Sequence, residues 1–469
     1  MNKNVQYIYK MRSPNKLLEN PYYELERQEI YFSSLEKLND PYEGVLDVCW
    51  KGDEVLWKNL LRQYLISLYR ISNLFFFSKG EYDFSSKDID VYENVEKLPS
   101  EYDKIIFRDC EKDFFNDARI KSFVEFLIDS HYSFHEKDIK SLLSFINLIA
   151  VEYIFKKYDY EKTDFFAYLS TMIKDLKLQT FFDQLKKKIK QSTMSLILQY
   201  VSTINEQLYL ITLHNNTNKD FTSRMAFFLI QFPIEFINKL ITLVVPKAFV
   251  SSFMLKIDNP ALWAYYAENH TGACLVFKCK NSKGNLALKL NAETTGSSDS
   301  YLLTNLNKIK YSRKTISINF FKYINALPLE SLHKNWYEYR SKKTIYIDKF
   351  GIEKSLLKWK KELWDIIYLR SLRKLPEWKN ENEYRLVIND NQRWDAKKDG
   401  IKAAYKFEDL DGIVFGYKMK IDDKLKVIEI IKKKCKENNR HHFNFYQANY
   451  SLKKNKMEIQ KLDLLNNIN

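Results

Sequence analysis

DNPALWAYYAENHTGACLVF, residues Asp258–Phe277, sets a short helix directly before an apolar strand, with a glycine at the join. Asn259 can cap the helix, Pro260 fits the first turn where a missing N–H loses no partner, and Gly272 suits the left-handed conformation that ends helices. The spacing predicts a helix of about three turns. Residues three and four apart share a face, which aligns Trp263, Tyr266, Ala267 and His270 and turns Glu268 and Asn269 elsewhere. Such a face fits a helix packed by its aromatics on a sheet, with His270 half-buried. KAFVSSFMLKI before it and GACLVFKCK after it read as strands. The region is therefore mixed, with the helix bridging two strands.

Outward from there, the first forty-odd residues read as strand, helix, strand: VQYIY from Val5, PNKLLENPYYELE, and EIYFSS from Glu29. LNDPYEG, Leu38–Gly44, is a turn in which Pro41 pushes Asp40 out of the helical region, while Asn39 and Asp40 can bond to backbone. From Asp53 the pattern becomes helical, and amphipathic segments run to about Leu243 with no Pro between Pro99 and Pro233. Strand patterns return at Leu286, Leu306, Glu383, Gly400, Asp411 and His442, with helical stretches from Gly351 and Lys420. The expected fold class is α+β: a mixed, mainly antiparallel sheet domain formed by residues 1–52 and 247–450. An all-α insertion over 53–246 interrupts it, and a polar tail, 451–469, follows.

The 469 residues are 45% hydrophobic and 29% charged, the balance of a folded, water-soluble chain. A formal charge of +15 favours an acidic partner: nucleic acid, nucleotide phosphates or a membrane surface. The lysine clusters at Lys186, Lys358 and Lys432 lie in helical patterns, where a solvated face is the default. Five cysteines without zinc spacing fit a reducing cytoplasm. No stretch reaches the ~18 apolar residues of a membrane span; LLSFINLIAVEYIF from Leu142 is too short, carries Glu152 and reads as a buried helix. Phosphate-binding P-loops, Gly-x-Gly-x-x-Gly and the Gly-x-Ser-x-Gly elbow are all lacking, which argues against P-loop ATPase, dinucleotide-fold and serine-hydrolase chemistry.

Four pieces occur in order: YKMR (Tyr9–Arg12), YFSSLEKLNDPYEG (Tyr31–Gly44), LWAYYAENHTGACLVF (Leu262–Phe277) and EWKNENEYRLV (Glu377–Val387). Together they resemble the bacterial domain-of-unknown-function family 2971, with Met11 in place of a usual Tyr and Tyr42 in place of a usual Phe. The resemblance covers the first ~50 residues and roughly 247–448 and leaves the helical middle unexplained. It implies no activity.

The layout is also similar to that of ADP-ribosyltransferases, including toxins and phage-defence enzymes that use NAD. That similarity implies NAD as co-substrate and a nucleic-acid or protein target. It places Tyr9, Lys10, Arg12, Ser33, Ser34, Asn39, Glu43, Trp263, Tyr266 and Arg385 around the ligand. Lys10 and Arg12 would steady the pyrophosphate, Ser33 and Ser34 would touch the ribose, and Tyr266 would stack on nicotinamide. Glu383 would stabilise the cation formed as the N-glycosidic bond breaks, and Glu381, two residues earlier on the same strand face, would orient or deprotonate an acceptor. Asp40 and His270 join them as catalytic candidates.

Two other classes compete. Asp40, Glu43, His270 and Glu383 can be grouped as ligands of a divalent metal in a nuclease, but no local spacing such as His-Glu-x-x-His supports it, and no metal set is assigned. A non-catalytic module is the third class, with the helical block holding a partner or a second protomer.

Overall fold

The computed structural model describes residues 6–465 except 80, 92–93, 131, 159–176, 186–190, 216–224, 283–284, 293–300, 325–326, 347–351 and 390–398. Two compact units result. One comprises residues 1–45, 246–315 and 365–469; the other comprises 46–245 and 316–364. Residues 316–364 thus leave the sheet unit to which the sequence pattern had assigned them. The expected polar tail contains a strand, Lys456–Lys461, paired with Tyr446–Ser451.

The first unit is built on β1 (Gln6–Arg12), β2 (Glu29–Ser34), β3 (Ala248–Met254), β4 (Ala273–Ser282), β5 (Asn285–Ala292), β6 (Leu302–Asn305), β7 (Glu383–Asn389), β8 (Gly400–Tyr405), β9 (Leu410–Phe415), β10 (Asn444–Ser451) and β11 (Lys456–Lys461). They follow the order β11-β10-β9-β4-β1-β3-β2-β8-β5-β6, with β7 on β3. Every pairing along this path is antiparallel except β9 with β10, which the helix Ile421–Glu437 connects. β5 also pairs back onto β4 through Lys280↔Ala287 and Ser282↔Asn285, so β4, β1, β3, β2, β8 and β5 form a closed ring. The fold is α+β, as the sequence pattern implied.

Strand alternation fills that ring. Ile30 and Phe32 of β2 point inward and pack with Ile8, Phe253, Phe277, Leu288, Leu290 and Tyr405 in one buried cluster. Along β3, β7 pairs at every residue from Glu383↔Met254 to Asn389↔Ala248. β1 and β2 must share the opposite edge, where β2 takes Phe249 and Val250 and β1 takes only Met254. Ser251, Ser252 and Phe253 pair with neither. The two strands part there, and a cleft opens.

The opening helix, α1 (Pro260–Tyr266), is shorter than its spacing implied. Asn259 accepts from the Ala261 N–H at 2.9 Å as the cap, but Glu268, Asn269 and His270 all adopt left-handed backbone, with φ of 48°, 52° and 72°. Gly272 is not the left-handed residue. A Cβ there would stand 2.0 Å from the Arg12 carbonyl oxygen, so the glycine lets β4 lie against β1.

The second unit contains the helices Glu54–Phe77, Glu101–Asn116, Ala118–Asp129 and Glu136–Lys156, with Trp57, Tyr64, Phe75 and Phe155 buried among them. It is not all-helical. Ser317–Asn319, Asp47–Trp50 and Phe134–His135 form a three-stranded sheet whose strands are too short to show any period in the sequence. Among the described residues, no helix is long and apolar enough to cross a membrane.

Candidate functional site

The parting of β1 and β2 is lined by segments from three regions of the chain: Lys10–Arg12, Tyr31–Glu43 and Val250–Arg385 each contribute side chains to a cavity of about 220 Å³. Lys10, Arg12, Ser33, Asn39, Glu43, Tyr266, Glu381, Glu383 and Arg385 all line it. Tyr9, Ser34, Asp40, Trp263 and His270 do not. Lys16, Tyr31, Lys37, Ser251, Ser252 and Lys374 line it as well, without having been marked by the sequence pattern.

The floor is an ion cluster. Lys374 lies 3.1 Å from Glu43, 2.7 Å from Glu381 and 3.2 Å from Glu383. Arg385 bonds Glu383 at 2.6 Å, pairs with Glu43, and donates to the Ser371 carbonyl at 3.0 Å. Glu383 is 2% exposed and Arg385 1%, so this is no surface ion pair. Three carboxylates share two cations out of water, an arrangement held only because each charge has partners. Burial pushes the Glu383 carboxyl up, but Arg385 and then Lys374 outweigh it and hold it at about 2. Burial outweighs Arg385 and Lys374 at Glu43, and Lys374 and Tyr266 at Glu381, so both carboxyls stay raised. Lys374 is raised despite its burial, mainly through Glu383 and Glu43.

Glu381 and Glu383 reach the cavity by a route other than the expected one. Glu381 ends a 3₁₀ turn, Pro376–Glu381, and is not on the strand; Asn382 takes left-handed backbone at φ 44°, and only then does β7 begin at Glu383. The bend swings both carboxylates toward Lys374. Tyr266, at the end of α1, donates its hydroxyl to Glu381 at 2.6 Å, and burial raises its phenol first of all.

Asp40, expected among the catalytic residues, stands outside the cavity with both carboxylate oxygens on backbone N–H groups. One carboxylate oxygen accepts from the Tyr42 N–H at 2.9 Å and the other from the Leu375 N–H at 3.1 Å. Asp40 thereby ties the turn bearing Glu43 to the residue after Lys374. Trp263 is wholly buried and donates its indole N–H to the Ile257 carbonyl at 2.8 Å. His270 sits in the left-handed turn, where its carbonyl accepts from the Lys418 N–H at 2.9 Å and its Nδ1 has no hydrogen-bond partner. Burial and then Lys418 lower its pKa. Ser34 is buried and its N–H donates to the Asp399 carbonyl, and the Tyr9 side chain packs on the opposite sheet face from Lys10. The proposed metal set of Asp40, Glu43, His270 and Glu383 is therefore not assembled. Among the described residues no cluster of His, Cys, Asp and Glu fit to hold a metal ion occurs.

Arg12 is committed as well: its Nε and Nη2 both donate to Glu24, at 2.7 and 2.6 Å. Lys10 differs. Its Nζ donates to Ser251 Oγ at 2.6 Å and to the Ser252 carbonyl at 3.3 Å, on residues of β3 that pair with neither β1 nor β2.

Residues 262–386 match the family model described as a protein of unknown function, DUF2971. This segment is similar to that family. It carries Tyr266, Lys374, Glu381, Glu383 and Arg385, so the DUF2971 segment supplies the floor of the cleft, and the N-terminal strands supply the rest. No curated protein and no solved structure matches the chain. Lys374 was missed because its partners are 331, 7 and 9 residues away in sequence, at Glu43, Glu381 and Glu383. One signal existed: Glu43, Glu381 and Glu383, once buried together with Arg385, call for a second cation.

Proposed function

We propose that the cleft binds the phosphate-bearing nucleotide NAD and that the protein is an ADP-ribosyltransferase-like enzyme breaking the nicotinamide N-glycosidic bond. The observation that carries this reading is the cleft's division of charge: Arg12, Lys16 and Lys37 stand on its N-terminal side, and ionised Glu383 lies beside Glu381 on its floor. Six basic side chains line it against three acidic ones, which favours an anionic ligand. Its volume of about 220 Å³ is below the ~300–1,000 Å³ usual for whole ligands, so it takes the nicotinamide ribose end and leaves the rest of the dinucleotide on the cationic rim.

In this reading the cations hold the diphosphate, Ser33 meets the ribose, and Tyr266, fixed by its bond to Glu381, packs against the nicotinamide. Glu383 supplies negative potential to the positive charge developing on the ribose. Glu381, with the higher proton affinity of the two, receives the acceptor's proton. The acceptor is a nucleic-acid or protein group, and a role in phage defence through NAD consumption or target modification belongs to the same reading. A metal-dependent nuclease is less well supported, because the Lys374 ammonium occupies the point on which the three carboxylates converge. A second reading, nucleotide binding without turnover, is favoured by the complete ion pairing of Glu383.

Purified protein incubated with NAD should release nicotinamide, and Glu381→Gln and Tyr266→Phe should each slow release by roughly tenfold to ten-thousandfold while keeping the native circular dichroism. Binding of ADP-ribose without nicotinamide release selects the second reading. Binding of neither NAD nor ADP-ribose removes both, and cleavage of RNA or DNA that a chelator abolishes restores the nuclease.

A further inference from the structure

Lys374, Arg385 and Arg12 each face a carboxylate within ion-pairing distance. Among the described residues, Lys10 faces none. It is 6% exposed, lines the cavity, and its hydrogen bonds go to a hydroxyl and a carbonyl, with the Phe253 ring centroid 4.8 Å away. The charged groups around it are Arg12 and Lys16, which repel an ammonium, and Glu24 and Glu383, which attract one. Both acids are already engaged, Glu24 by Arg12 and Glu383 by Arg385 and Lys374. Burial, and after it Arg12, drives the Lys10 pKa well below the ordinary lysine range. A buried amine with neutral acceptors only, opening on a cavity, lacks one thing: an anion.

We propose that Lys10 is a proton-linked anion receptor, in which an oxyanion of the ligand, the diphosphate of a nucleotide, becomes its counter-ion while the amine takes up a proton from solvent. The inference rests on the reading of this cleft as a nucleotide site but not on NAD being turned over. The balance is simple: binding of the anion shifts the amine toward its protonated form, no covalent bond forms, and the buffer supplies the proton. The consequence is a nucleotide affinity that falls as pH rises, since at higher pH the proton is dearer to capture.

The test is calorimetric titration of the full chain with ADP-ribose and with inorganic pyrophosphate, at pH 7.5 in two buffers of different ionisation enthalpy. Wild type should take up roughly half to one proton per ligand bound, the signature of one group changing state. Lys10→Met should bind about tenfold to a hundredfold more weakly and without that uptake, as expected for loss of one charged hydrogen bond. Lys10→Arg, which stays charged throughout, should bind with no uptake, and it decides the matter if Lys10→Met does not fold.

Uptake that is equal in wild type and variants, binding by wild type without uptake, or no binding of either probe overturns the proposal. Nicotinamide release from NAD with no proton uptake sinks this inference and spares the enzymatic one. Proton-linked pyrophosphate binding with no release does the reverse.

Discussion

Lys374 holds three carboxylates with one ammonium, and its neighbour Arg385 holds two of the same three. Removing a member leaves the others buried and short of a partner, which costs about 3–5 kcal/mol in comparable clusters. Lys374→Met should therefore lower unfolding stability by that order, seen as an earlier urea midpoint at pH 7. Glu383→Gln should also destabilise, with a particular pH dependence. The folded-state pKa of Glu383 is about 2, below that of an ordinary carboxyl, so its stabilisation is complete above the unfolded value near 4.5 and is lost as pH falls toward 2. The stability gap between wild type and Glu383→Gln should narrow as pH falls through that window. A gap that is flat down to pH 2 would mean the carboxylate gains nothing from its cations. Residue types were well marked in the sequence here, because Glu-x-Glu-Tyr-Arg and Asn-Asp-Pro-Tyr-Glu carry their chemistry on their face. Roles were not: Asp40 reads as an acid near a site, and only the distant Leu375 N–H shows that it ties two segments together.

Two backbone positions decide whether the elements deliver those side chains. Asn382 takes left-handed backbone between the 3₁₀ turn and β7, at about 1–2 kcal/mol for a residue with an ordinary side chain. Asn382→Gly should leave stability and ligand binding near wild type, whereas Asn382→Val should destabilise by about 2 kcal/mol and weaken binding by separating Glu381 from Lys374. Thermal melts and ADP-ribose titration of the pair check this; equal behaviour of Gly and Val would show that the bend is not selective. Gly272→Ala places a methyl 2.0 Å from the Arg12 carbonyl, where β1 and β4 pair at Arg12↔Ala273, and should destabilise by about 2–3 kcal/mol through strand displacement. Elements with a strong period were legible: β2 from its alternation, and α1 from Asn259 and Pro260. The bends were not, since a left-handed asparagine, and three such residues in a row at Glu268–His270, follow from tertiary contacts such as the bond from Lys418 N–H to the His270 carbonyl. Strands of two to four residues in the second unit leave no period at all.

Across the first unit, the cleft exists because three parts of the chain meet at β3: β1 and β2 divide one edge, and β7 occupies the other. The order of strands along the sheet could not be read from composition, yet it is what brings Lys10, Ser33 and Glu383 to one cavity from positions 10, 33 and 383. The basic excess that the sequence shows as a net +15 is partly concentrated there, with exposed Lys16 and Lys37 on the lining. An anionic ligand that bridges the parted strands should act on all three segments at once. Hydrogen exchange with and without ADP-ribose is expected to show added protection in Lys10–Lys16, Ser33–Asn39 and Lys374–Arg385 together, with β11 unchanged. Raising salt from about 0.05 to 0.5 M should weaken the same binding roughly tenfold, because the rim lysines are screened while the buried cluster is not. Protection confined to one of the three segments, or affinity indifferent to salt, would mean that the ligand sits elsewhere and that the parting of β1 and β2 is only a feature of the fold.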